Sequence, residues 1–196
     1  MVIFDIIKGY HLGKEQIFIK LRHILFLIVL MGVGFGLDAI IGRNTFYPFI
    51  PRILYNSEPD ILVVMMCIGI ILFPNTKNVI VLSLISGFLS IFTNDLQMTV
   101  GYVASFMSKP ITAFIVYGAL FLFKKKDSFF VGIFLITIGT CVSVGTFHFL
   151  SGIFLKDILF LIGGILYLIS VTIFNIIFAC ILYPIAKAIK KHLLST

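Results

Sequence analysis

Tryptophan is absent from these 196 residues, and charge is scarce. Only 12% of the chain is Asp, Glu, Lys or Arg, against about 25% in a soluble domain. With 60% hydrophobic residues and apolar runs longer than a core helix needs, a soluble globular fold is excluded. There is no phosphate-binding loop and no room for a nucleotide-binding, DNA-binding or extracellular catalytic module. No His-x-x-x-His spacing occurs, and the apolar runs contain no glutamate, so the pair that an intramembrane metalloprotease requires is missing. An enzyme is not expected, and neither is a metal or organic cofactor. The three cysteines, Cys67, Cys141 and Cys180, are dispersed in apolar stretches without metal-ligand spacing and read as inert buried thiols. Residues 1–20 do not read as a signal peptide, because Lys14, Glu15 and Lys20 interrupt them and no small-residue cleavage site follows.

What is present is a series of membrane-length segments. A helix rising about 1.5 Å per residue needs roughly 20 apolar residues to cross the hydrocarbon. Six candidate spans cover residues 22–41, 60–73, 78–92, 100–123, 129–150 and 158–185, making residues 1–196 a single transmembrane domain of all-α, polytopic class. The net charge of +7 sits at the ends of these runs, which points to the anionic cytoplasmic leaflet of the lipid bilayer rather than to nucleic acid. Six crossings put Lys8, Lys14, Lys20, Arg22, Lys77, Lys124, Lys125, Lys126, Lys187, Lys190 and Lys191 on one side. The other side holds Arg43, Arg52 and Lys156, so both termini are expected to be cytoplasmic. The second and third runs are short for spans. They admit two readings, short crossings or a re-entrant hairpin entered from outside.

Few residues inside the spans can carry chemistry. Lys109 lies roughly 13 Å below the outer end of the fourth span, where a lipid-facing lysine costs about 2.5–3.5 kcal/mol. Nothing acidic stands three or four residues away, so Lys109 either snorkels to the headgroups or faces a cavity and awaits an anionic group. Thr112 shares its face if the helix continues through Pro110. Asp60, after Glu58 and Pro59, suits a helix start and equally a substrate contact. Asn175 sits deep in the sixth span, where its amide needs a partner from another helix or from substrate. His148 lies near the outer end of the fifth. Gly32 and Gly36 form a GxxxG around Gly34 in the first span, and Ser83/Gly87 and Ser86/Ser90 repeat that spacing in the third. Such faces pack helices within a protein or dock a separate membrane partner.

The stretch from Glu58-Pro59-Asp60-Ile61 to Leu72-Phe73-Pro74-Asn75-Thr76-Lys77-Asn78-Val79 carries a recognisable pattern. With Lys109-Pro110-Ile111-Thr112-Ala113-Phe114, and Asn175 followed by Tyr183-Pro184, it resembles the bacterial tryptophan-transporter TrpP family over residues 22–190. Thr93-Asn94-Asp95-Leu96-Gln97-Met98 stands where the family often has a Pro-Gly-Gly-like loop, and Ser108 where an acidic residue commonly precedes the lysine. That family is similar to the substrate-binding S-components of energy-coupling-factor (ECF) transporters, six-helix proteins that partner a membrane coupling protein and two ATPases. The resemblance implies an S-component-like bundle, multi-pass in the bacterial cell membrane, taking up a small aromatic amino acid, tryptophan foremost. Lys109, Thr112, Asn175, Asp60 and His148 are the expected substrate contacts, in a site formed by spans four to six and roofed by residues 42–59. Gly32 and Gly36 stand for the Ala-xxx-Ala partner face of S-components. A stand-alone ion-coupled carrier and a non-transporting scaffold are the alternatives.

Overall fold

Backbone amides have no water to bond in hydrocarbon, so long apolar runs become helices that satisfy their own hydrogen bonds. In a computed structural model the chain is described over residues 21–40, 60–93, 99–123, 128–156 and 158–195, and the regular structure there is entirely helical. The helices are α1 (Leu21–Ile40), α2 (Ile61–Leu72), α3 (Thr76–Thr93), α4 (Thr99–Leu120), α5 (Phe129–Leu155) and α6 (Ile158–Ser195). Helices α1, α4, α5 and α6 are long and apolar enough to cross a membrane; α2 and α3 are shorter apolar helices. The expected roof, residues 42–59, lies outside the described residues.

Helices α3, α4, α5 and α6 pack in chain order, each against the next, and α2 touches all four. Helix α1 closes the remaining side: Gly34 stands against Met65, and Leu27 and Leu30 against Gly69. The result is a bundle with α2 in the middle, every one of its twelve residues buried. At about 1.5 Å per residue α2 spans about 18 Å, well short of the roughly 30 Å hydrocarbon. A helix of that length cannot reach both faces of the bilayer.

Sequence explains how α2 turns into α3. Pro74 cannot donate to a continuing helix, and Asn75 accepts a hydrogen bond from the Lys77 N–H (2.9 Å) to start α3. Asn78 donates its amide to the Phe73 carbonyl (3.3 Å). The Phe-Pro-Asn-x-x-Asn pattern is thus a structural turn. Lys190 of α6 completes it by donating to the Leu72 carbonyl, with its ammonium 4.9 Å from the centre of the Phe73 ring. A cation at the carboxyl end of α2 complements the helix dipole there.

Helix α4 runs unbroken through Pro110. Proline removes the N–H that would bond the Phe106 carbonyl, and α3 fills the gap left beside it. Gly87 is the residue at that contact, where a Cβ would stand 3.0 Å from the Phe106 oxygen. The small-residue spacing of α3 is a packing surface for α4. On the outside of α6, Ile165, Ile169, Ile173, Ile177, Ile181, Ile185 and Ile189 recur every fourth residue and are 46–63% exposed. A four-residue period drifts by about 40° per step on a 3.6-residue helix, so uniform exposure means that α6 occupies the rim of the bundle.

Candidate functional site

The amino end of α2 gathers the buried lysine and the buried amide of the bundle, Lys109 and Asn175, with Thr140 and Ser143 beside them. Asp60 caps the helix, its Oδ1 accepting from the Val63 N–H (3.1 Å). Asp38, near the end of α1, accepts from the Ile61 N–H (2.9 Å). Two carboxylates thus answer the unsatisfied amides and the positive dipole end of α2. The second oxygen of Asp60 takes the Lys109 ammonium of α4 at 2.6 Å. Lys109 also donates to the Ser143 hydroxyl of α5 (3.2 Å). Its side chain is 6% exposed and that of Asp60 24%.

Helix α6 adds Asn175, which is 1% exposed. Its Nδ2 donates to the Thr140 hydroxyl (3.2 Å) and to the Asp60 carbonyl (3.4 Å). Thr140 already gives its own proton to the Ile136 carbonyl (3.1 Å). Both neighbours of this amide are therefore acceptors toward it, which fixes the Asn175 nitrogen in their direction. The Asn175 Oδ1 is left buried with no hydrogen-bond partner among the described residues. Four helices meet here: α2 supplies an anion, α4 a cation, α5 two hydroxyls and α6 an amide.

The structure corrects the sequence reading of Lys109. It neither reaches for headgroups nor stands as an unanswered cation, because Asp60 pairs with it across 49 residues of sequence. Helix α2 also joins α4, α5 and α6 in forming the site. Of the expected contacts, Lys109, Asp60 and Asn175 come together. Thr112 is buried with its hydroxyl donating to the Ser108 carbonyl of its own helix (2.7 Å). His148 lies five residues beyond Ser143 on α5, about 7.5 Å along the helix, with its ring edge-on to Tyr167 of α6 at 5.1 Å. Gly164 makes room for it, since a Cβ there would meet the imidazole Cγ at 2.7 Å. Among the described residues Gly32 and Gly36 have nothing within 4 Å of where a Cβ would stand, whereas Gly34 between them would press on Met65 at 2.9 Å.

Sequence reasoning missed Ser143, Thr140 and the capping role of Asp38. The signals were there to be used. Thr140 and Ser143 stand three apart on one helical face. A buried lysine without a carboxylate on its own helix requires one from another, and Asp38 and Asp60 are the only acidic residues among the described residues.

A family model described as Tryptophan transporter TrpP matches residues 20–191. A protein of Bacillus subtilis (strain 168) named probable tryptophan transport protein is 29% identical over 182 residues, covering 88% of this chain and 95% of its own length. No solved structure matches the chain. A multi-pass helical membrane protein in which the family pattern runs from α1 through α6, with its lysine, aspartate and asparagine converging at one buried point, belongs to the tryptophan transporter family TrpP.

Proposed function

We propose that this chain takes up tryptophan, captured from the outer side at the amino end of α2. The observation that carries the reading is the buried Lys109–Asp60 pair, bound on either side by Ser143 and Asn175. Intramembrane ionisable groups on facing helices mark substrate paths, and the amino end of a short helix is suited to an anionic substrate group. Lys109 receives the substrate carboxylate. The ring pair of His148 and Tyr167, further along α5 and α6, offers flat surfaces for an indole. Thr112 shapes the α4–α5 contact behind the site. The name of the Bacillus subtilis relative supports tryptophan as the substrate.

In this reading the chain is one transmembrane unit with both termini cytoplasmic, acting as an S-component-like subunit. Lys77, Lys190 and Lys191 lie toward the end of the bundle away from the Lys109 cluster, which agrees with an outward-facing site. An ECF-type coupling protein with ATPases supplies the energy, docking on α1. In support, Gly32 and Gly36 lie on a face that also exposes Leu25, Ile28, Val29 and Val33.

Thermal unfolding of the purified protein against a panel of amino acids tests the proposal. Tryptophan at 100 times its dissociation constant adds about 2.7 kcal/mol of apparent stability. A folded protein that no amino acid stabilises is a scaffold, not a transporter subunit. Uptake into liposomes by the purified chain alone, abolished by an uncoupler, would instead identify an ion-coupled carrier.

A further inference from the structure

We infer that Asp60 and the Asn175 carbonyl oxygen form an ammonium subsite, and that among charged ligands the site selects those carrying one positive and one negative group. The inference rests on the transport reading above and adds to it the charge class of the ligand and the residues that set it.

Two observations carry it. The first is the orphaned Asn175 Oδ1, a buried acceptor whose orientation is fixed by the Thr140 hydroxyl and the Asp60 carbonyl. A buried acceptor without a donor is costly, and only a donor relieves it. Lys109 does not provide one, since its contacts are Asp60 and Ser143. A ligand ammonium carries three N–H groups and can answer both Asn175 and the Asp60 carboxylate.

The second is charge balance. Lys109 and Asp60 neutralise one another, and the remaining charge at the site, Asp38 from α1, faces the amide end of α2. A ligand bearing only a carboxylate would leave two anions competing for Lys109. One bearing only an ammonium would leave two cations competing for Asp60. Either outcome strands a buried charge. Among charged ligands a zwitterion keeps the sum at zero: its carboxylate pairs with Lys109, its ammonium pairs with Asp60, and one ion pair becomes two.

Titration calorimetry on the purified full-length wild-type protein reads this directly, with L-tryptophan, tryptamine and indole-3-propionate as probes. Tryptophan should bind about 100-fold more tightly than either singly charged analogue, although all three carry the same indole. Tryptamine or indole-3-propionate binding within threefold of tryptophan overturns the inference and leaves tryptophan transport intact. A folded protein that binds none of the three overturns the transport reading, and the inference with it. Asn175→Asp places a second carboxylate at the ammonium subsite. The preference for tryptophan over tryptamine should then shrink by about tenfold. An unchanged ratio in a variant that still binds tryptophan removes Asn175 from the subsite.

Discussion

At the scale of single residues, the Lys109–Asp60 pair is both a functional centre and a structural constraint. Removing one member leaves the other charged and enclosed, which for buried pairs costs about 3–5 kcal/mol. Lys109→Met is therefore expected to destabilise the protein by about that much. Asp60→Asn keeps an N-cap oxygen for α2 but strands the Lys109 ammonium at 6% exposure, whereas Lys109→Met strands a carboxylate at 24%, so Asp60→Asn should cost at least as much. Combining the two should recover part of the loss in stability while leaving tryptophan binding abolished. Unfolding of the four proteins in detergent checks this as a double-mutant cycle, and strictly additive losses would mean that the pair is not coupled. Lys109 was legible in the sequence because a lysine amid apolar residues contradicts its surroundings. Its partner was not, since helical periodicity relates residues three and four apart and is silent about one 49 positions away.

Among the elements, the glycines sort by what they face. A Cβ at Gly139 of α5 would fall 2.4 Å from the Cys67 sulfur of α2 and 3.0 Å from Val116 of α4. Gly139→Leu is thus expected to overpack the centre and cost about 1–3 kcal/mol or more. Gly36→Leu meets no neighbour among the described residues, and should leave thermal stability and tryptophan binding of the purified protein unchanged while uptake in cells falls. Loss of stability in the Gly36 variant would show that the face is already occupied within the fold. The spacing of small residues in α1 was plain from sequence, but which of them faced inward was not. Helical spacing sets Gly34 opposite Gly32 and Gly36 but does not say which side is buried, and among the described residues only Gly34 meets a neighbour.

For the whole molecule, the helices and their charge asymmetry could be read from the sequence, whereas the central position of α2 could not. An amphipathic helix shows which side is buried by its pattern. In a membrane chain a lipid-facing side and a buried side are both apolar, so ILVVMMCIGIIL presents no side to read. That enclosure has a consequence for synthesis. Helix α2 leaves the ribosome before α4, α5 and α6, which go on to surround it. Until they arrive it has only α1 and α3 beside it, is too short to cross the bilayer alone, and begins with a carboxylate whose ammonium partner is not yet translated. The α2–α3 hairpin should therefore wait at the membrane surface and enter after its neighbours. Nascent chains arrested after α3 should lose the hairpin to added protease, while chains released after α6 protect it. Equal protection in both would mean that α2 enters unaided. An order of birth opposite to the order of burial makes the last helix translated a condition for seating the second.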